Sequence, residues 1–331
     1  CRRRAPDTRC RAESCCAAER LNDPCVIYEG RRASGSVGKS LIAPAHRETR
    51  MERRKVAVVS ALFRYPVKSM LGEEPAELEL TTNGTLGDRA WAVREASGRI
   101  ATAKKWSAML GFRASYDSTP RPGELAPVTV TFPDGSRIHA ADPDASARLS
   151  TVLGRPVRLE RAKADERSRG EIDPQTIFAD LPVEQLLPNF TSQTLPDSFG
   201  LMRGAFFDSA PIHVLASTSL EHLKRLCRGD SILDPRRFRP NIFVDTSGTG
   251  ADGFVEDEWL EGTLEVGETV RIIEMKPALR CVMTTHAQSE LPRDLSILRT
   301  AAQHHKATLG VFAMIGAPGT IRVGDPVYLT R

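Results

Sequence analysis

The 331-residue chain has no apolar run approaching the ~18 residues that a membrane-spanning helix needs. Beyond Cys25 it has two cysteines, Cys227 and Cys281; no Cys-x-x-Cys pair occurs and no cysteine follows Cys281. A cysteine-rich metal module in residues 1–50 is disfavoured by the adjacent Cys15-Cys16 and the missing Cys-x-x-Cys, and the body offers no cysteine set for an iron–sulfur cluster or a disulfide framework. Internal repeats and low-complexity tracts are lacking too, which argues against a solenoid. Charge is scarce in a different sense. The formal net charge is +4, but residues 1–50 hold 11 Lys/Arg against 6 Asp/Glu, leaving the rest of the chain at 35 against 36. A body so near neutrality is not that of a general nucleic-acid binder, which carries its basic surface on the fold.

What is present divides in two. Residues 1–50 carry five of the seven cysteines, have no sustained hydrophobic periodicity and lack the apolar core of a secretory signal. They read as a disordered extension or an artefact of the assigned gene start, with order expected from near Val56. A transit peptide is the functional alternative, and its expected scarcity of acidic residues is not met here.

From Val56 the pattern is mostly that of strands. Val56–Leu62 is an apolar run stopped at Tyr65-Pro66, and Ala76-Glu77-Leu78-Glu79-Leu80 alternates with period two. Asn83-Gly84 marks a turn, and Val128–Phe132, Asp134-Gly135 and Ser136–His139 read as a hairpin. A short helix is expected between Asp142-Pro143 and Gly154. Arg161–Pro196 is polar and irregular and holds the expected domain boundary. Beyond it, Pro211–Ala216 reads as a strand, and Thr218-Ser219-Leu220-Glu221 as a capping box opening a helix with Leu220, Leu223 and Cys227 on its apolar face. Short strands follow at 241–244, 262–266, 268–275, 311–315, 319–323 and 327–329, with a helix at 295–302. Many short strands and few helices predict an α+β, mostly β architecture of barrel type.

Five features share a chemical theme of anion recognition plus a soft ligand. Lys68 and Ser69 set an ammonium beside a hydroxyl where a strand ends. Gly87-Asp88-Arg89 holds a guanidinium at a turn. Ser219 lies at a predicted helix start, where free backbone N–H groups favour phosphate. Arg237-Phe238-Arg239-Pro240-Asn241 offers planar forks for phosphate and an amide for a heterocycle edge. Arg280-Cys281 places a thiol next to a cation, which favours the thiolate that binds soft metals. Taken alone, each of these is more often a solvated turn, and a free cysteine more often a small buried hydrophobe.

Their order along the chain resembles the MOSC superfamily, named for the molybdenum cofactor sulfurase C-terminal domain. The likeness is to the two-domain branch that contains the mitochondrial amidoxime-reducing components and their bacterial relatives. It rests on Tyr65-Pro66-Val67-Lys68-Ser69, Gly87-Asp88-Arg89, Phe238-Arg239-Pro240-Asn241, Glu256-Asp257-Glu258-Trp259, Arg280-Cys281-Val282-Met283-Thr284-Thr285 and the run from Gly319 to Val327. The resemblance implies an N-terminal β-barrel-like domain over 55–170, then a MOSC β-barrel domain with short helices over 185–331. It implies a molybdenum cofactor (Mo-molybdopterin) with Cys281 as metal ligand and catalytic centre. Lys68, Ser69 and Arg89 would hold it from one side, and Ser219, Arg239 and Asn241 from the other; Arg280, by its charge, would steady the thiolate and the anionic cofactor.

The implied activity is reduction of small N-hydroxylated compounds, a two-electron oxygen removal in which the cofactor does the hard chemistry. Electrons would come from a separate ferredoxin-, flavin- or cytochrome-type protein, since no further cysteines could hold a cluster. His286, which titrates near neutrality, is a candidate proton donor. The alternatives are a cofactor carrier or storage protein, and a sulfur carrier bearing a persulfide on Cys281. Pyridoxal phosphate is a distant analogy with no convincing Schiff-base lysine behind it. A cytoplasmic monomer without a membrane span or nucleic-acid partner is expected.

Overall fold

The computed structural model describes residues 52–164, 171, 172, 178, 193, 194, 204–207 and 209–331. The expectations for residues 1–50, and most of those for the 161–196 segment, fall outside them. The first part supplies β1 (Arg53–Leu62), β2 (Glu77–Thr81), β3 (Gly84–Thr85), β4 (Trp91–Glu95), β5 (Arg113–Tyr116), β6 (Val128–Thr131), β7 (Arg137–His139), helix α1 (Ala145–Leu153) and β8 (Val157–Arg161). A small ribbon of β9 (Glu171–Ile172) and β10 (Gln193–Thr194) follows. The remainder runs β11 (Ile212–Ala216), α2 (Ser217–Leu226), α3 (Pro235–Phe238), β12 (Ile242–Asp245), β13 (Thr263–Val266), β14 (Val270–Leu279), α4 (Ser296–His305), β15 (Thr308–Ala317), β16 (Gly319–Arg322) and β17 (Pro326–Thr330).

Seven strands close a barrel in the order β1-β12-β11-β15-β14-β13-β17, with β1 pairing back onto β17. Period-two alternation, reset in β1 by a register shift between Val59 and Ala61, sends Val59, Leu62, Val214, Ile242, Leu264 and Ile272 into its core. At about 2 kcal/mol for each large aliphatic side chain removed from water, that interior dominates stability. The first and second parts of the chain are interlocked. β1 is a stave of a barrel otherwise built from the second part, and β16 pairs with β2, which adds Leu78 and Leu80 to the same core. Sheets β4-β8 and β5-β6-β7, with α1, enclose a second core around Val93, Phe112, Val130, Leu149 and Leu159.

The expected hairpin is β6–β7, its turn made by Gly135 at φ 83°. The expected helix after Pro143 is α1, closed by Gly154 in the left-handed conformation. One pairing goes beyond the antiparallel pattern: β11 and β12 are parallel, Val214 opposite Ile242, with α2 and α3 in the crossover. Parallel pairing puts the starts of both strands side by side, and antiparallel pairing with β12 brings the end of β1 to the same place. Phe63 N–H donates to the Asn241 carbonyl at 2.9 Å and Asn241 N–H to the His213 carbonyl at 2.8 Å. The site is assembled at this junction.

Candidate functional site

The chain from Leu62 to Met70 is buried throughout. It is pinned by main-chain bonds to the segment before β4: Arg89 N–H donates to the Tyr65 carbonyl, Trp91 N–H to that of Pro66 and Lys68 N–H to that of Trp91. Asp88, its side chain fully buried, ties the turn down. Its Oδ1 accepts Tyr65 N–H at 2.7 Å; its Oδ2 accepts the Asn241 amide at 3.1 Å and pairs with the Arg89 guanidinium. Gly87 precedes it at φ 78°, and a Cβ there would lie 2.7 Å from the Tyr116 hydroxyl, so this turn admits only glycine. Tyr65 presents its ring to two cations. The guanidinium carbons of Arg89 and Arg239 lie 4.8 Å and 4.0 Å from its centroid. Arg239 also donates to the Met70 carbonyl at 2.7 Å, and Lys68 Nζ to that of Phe206 at 2.8 Å.

Ser69, Arg89 and Arg239 all have positive φ, at 67°, 50° and 55°. Left-handed backbone costs a non-glycine residue of order 1 kcal/mol or more and persists where surrounding contacts over-determine it. That three of the predicted site residues share it indicates that their direction matters more than their local comfort. The Ser69 hydroxyl is buried and has no hydrogen-bond partner among the described residues.

Arg280 and Cys281 leave the end of β14 and enter the 3-10 turn Val282–Thr285. Cys281 is half-buried. It packs against the cluster that contains Val67 and Met70, and on its other side against Leu298 and Phe178. Arg280 is 6% exposed, donates to the Phe238 carbonyl at 2.9 Å and lies 3.5 Å from His213 Nε2; its Nε has no partner and it meets no carboxylate among the described residues. Burial pushes its pKa down to about 10, opposed by the charge of Cys281. It remains a cation at neutral pH, buried without a carboxylate, and such a charge calls for an anionic partner. His213 behind it is buried as well; burial and the Arg280 charge hold its pKa well below the usual imidazole value, so it is neutral.

Lys68, Ser69, Arg89, Arg239, Asn241, Arg280 and Cys281 are thus carried on loops that touch one another. Asn241 serves the junction: its Oδ1 accepts His213 N–H at 3.2 Å, and its amide donates to Asp88 and, at 3.4 Å, to the Phe63 carbonyl. Ser219 lies on another network. Its hydroxyl donates to the buried carboxylate of Glu256 and accepts Val255 N–H at 2.9 Å. The expected capping box is not formed. α2 begins earlier, at Ser217, with Glu256 Oε1 accepting Ala216 N–H and Thr246 Oγ1 accepting Thr218 N–H. A tertiary carboxylate takes the place that Ser219 was expected to offer an anion. His286 is half-buried, and burial together with the nearby Arg293 charge lowers its pKa, so it holds no stored proton near pH 7.

Four contributors escaped sequence reasoning. Tyr65, Asp88 and His213 act through contacts between distant segments. Arg237, 1% exposed, clamps the loop after Cys281 by donating to the carbonyls of Ile232, His286 and Pro292. The signal for Asp88 and Arg237 was available in part: both are charged residues inside the quoted runs Gly87-Asp88-Arg89 and Arg237–Asn241, but their burial could not be seen.

The structure thus has a buried, cation-rich junction between a barrel and a second β layer, with a half-buried thiol at its edge. Two family models match the chain. A MOSC domain matches residues 202–328 and a MOSC N-terminal beta barrel domain matches residues 56–171. The chain belongs to the MOSC family and carries both domains. It is 28% identical to mitochondrial amidoxime-reducing component 1 of Mus musculus, over 92% of this chain and 93% of that one. It is 26% identical to mitochondrial amidoxime reducing component 2 of Homo sapiens, over 96% and 98%. A molybdenum cofactor sulfurase of Oryza sativa subsp. japonica is 23% identical over 68% of this chain and 28% of its own length. The solved YUAD protein from Bacillus subtilis aligns with a TM-score of 0.41 at 11% identity, over 85% of this chain and 98% of that one, a likeness too loose to argue from. No helix among the described residues is long and apolar enough to cross a membrane.

Proposed function

We propose that this protein binds a molybdenum cofactor at the junction of its two domains, with Cys281 as the protein's metal ligand, and reduces small N-hydroxylated compounds with electrons from a separate protein. The observation that carries the reading is Arg280, a buried cation that meets no carboxylate among the described residues, next to the half-buried Cys281 thiol. A pterin cofactor with its phosphate is anionic and would satisfy that cation together with the unpartnered Ser69 hydroxyl. Thiolate is a suitable ligand for such a metal. No cluster of three or more His, Cys, Asp or Glu occurs among the described residues, so a metal at Cys281 takes its other ligands from the cofactor.

Within that reading Lys68, Ser69, Arg89 and Arg239 hold the anionic part, and Arg280 steadies the thiolate and the cofactor from behind. Asn241 and Ser219 act at one remove, Asn241 by locking the junction and Ser219 by completing the Glu256 network. When bound, the molybdenum centre supplies the two-electron oxygen-removing chemistry. The protein supplies orientation and a desolvated, cationic wall where electrostatic attraction is stronger than in water. Burial lowers the pKa of both His286 and His213, so neither is a standing cation beside the site.

The test is metal and pterin analysis of wild-type protein and Cys281→Ala, both from a cofactor-competent host. Wild type should carry molybdenum and pterin and oxidise a reduced dye with benzamidoxime; Cys281→Ala should lose molybdenum and turnover. Full retention of molybdenum in Cys281→Ala overturns the ligand assignment. Bound cofactor with no turnover of benzamidoxime points to a carrier.

A further inference from the structure

Arg89 and Arg239 come from segments far apart in sequence and repel each other as like charges. Both are nevertheless held over one aromatic ring, that of Tyr65, which is 3% exposed. Each has left-handed backbone, so neither reaches the ring by relaxed geometry. Asp88 fixes both the Tyr65 main chain and the Arg89 guanidinium, and the Met70 carbonyl fixes Arg239. The Tyr65 hydroxyl is buried and has no hydrogen-bond partner among the described residues. A buried hydroxyl normally finds one, so whatever makes this residue useful here resides in the ring.

We infer that Tyr65 is a positioning residue: its aromatic ring holds the Arg89 and Arg239 guanidiniums as a preorganised pair for a phosphate-class dianion. The negative face of the ring attracts each cation, by roughly 0.5–2 kcal/mol per contact, and so offsets the repulsion that would splay the pair in the empty protein. The dianion then meets two forks already in place. This rests on the anion-binding part of the reading above and is independent of the metal.

The hydroxyl and the ring make opposite demands on substitution. Tyr65→Phe keeps the ring and removes an unpartnered polar atom. Tyr65→Leu and Tyr65→Met keep apolar bulk and remove the π face. The measurement is calorimetric titration of inorganic phosphate into the full chain, produced in a host that makes no molybdenum cofactor, at fixed ionic strength. Circular dichroism and Tm select whichever of the Leu and Met variants is folded like wild type. Wild type and Tyr65→Phe should bind phosphate within about twofold of each other, and the folded aliphatic variant about tenfold more weakly, because the splayed pair must then be drawn together on binding. A role confined to core packing would be rescued by the aliphatic residue and would leave phosphate affinity unmoved. Equal binding by the aliphatic variant, an equal loss in Tyr65→Phe, or no phosphate binding by wild type each overturns the inference. If the predicted phosphate pattern holds while molybdenum fails to copurify with wild type from a competent host, the metal assignment falls and the role of Tyr65 stands.

Discussion

Asp88→Asn should destabilise this protein by about 3 kcal/mol, out of proportion to the change of one atom. The carboxylate is buried and accepts from three donors: Tyr65 N–H, the Asn241 amide and the Arg89 guanidinium. An asparagine can keep the Tyr65 bond through its one carbonyl oxygen. Its amide group then faces two donors, so the bond to Asn241 is lost, at about 1 kcal/mol, and so is the charge-assisted bond to Arg89, at about 1.5–3 kcal/mol. Leaving one partner of a buried ion pair alone costs about 3–5 kcal/mol. The Arg89 side chain is 16% exposed and recovers some hydration, which puts the expectation at the low end of that range. Urea unfolding followed by tryptophan fluorescence and by circular dichroism measures the loss, provided the two transitions coincide. A second arm is the cycle with Arg89→Gln. Once Arg89 is neutral, the Asp88→Asn penalty should fall by 1 kcal/mol or more, because the partners share one network. A loss below about 1 kcal/mol in the single variant, or strict additivity in the cycle, would refute the view that Asp88 ties the β1 end, the 87–89 turn and β12 together.

Two further outcomes follow from buried charge. Burial raises the pKa of Glu256 above its ordinary value of 4.5, so the folded protein holds that proton more tightly than the unfolded chain; the resulting stabilisation is complete below pH 4.5 and disappears as pH rises through the folded pKa. Glu256→Gln mimics the protonated form, so wild type should gain stability relative to the variant on acidification through that window, by up to about 1.4 kcal/mol per pH unit; a stability difference independent of pH would contradict it. Arg280→Met removes a buried cation that meets no carboxylate, and the cofactor-free variant should be no less stable than wild type while failing to retain molybdenum. A loss of about 2 kcal/mol or more without cofactor would mean that the bonds to Phe238 and His213 outweigh the desolvation of Arg280.

The elements were legible where a local period decided them. Leu78 and Leu80 alternate with glutamates and form β2; Gly135 and Gly154 sit where turns and helix ends need left-handed backbone. The parallel pairing of β11 with β12 was not legible, since strand partners are chosen by the whole barrel and not by either strand. Short runs such as Lys68-Ser69 and Arg280-Cys281 carry their chemistry in adjacent residues, so the motif order picked out loops that the fold brings together. The reading of Ser219 went astray for the opposite reason. A serine at a helix start has the same local signature whether it faces a ligand or a glutamate 37 residues away, and only the packing of Val255–Trp259 against β11 and α2 placed Glu256 there.

The sequence alone therefore determined the mostly β architecture, the family and the set of cationic and thiol-bearing loops, since these follow from residue type, spacing and period. Tertiary structure decided which of those side chains remain available. It turned the Asn241 amide inward to Asp88, closed Ser219 onto Glu256, left Arg280 buried without a carboxylate among the described residues and set two arginines against the ring of Tyr65. The physical reason is that hydrogen bonding and desolvation depend on neighbours brought in from distant parts of the chain, and a local pattern carries no record of which neighbour arrives.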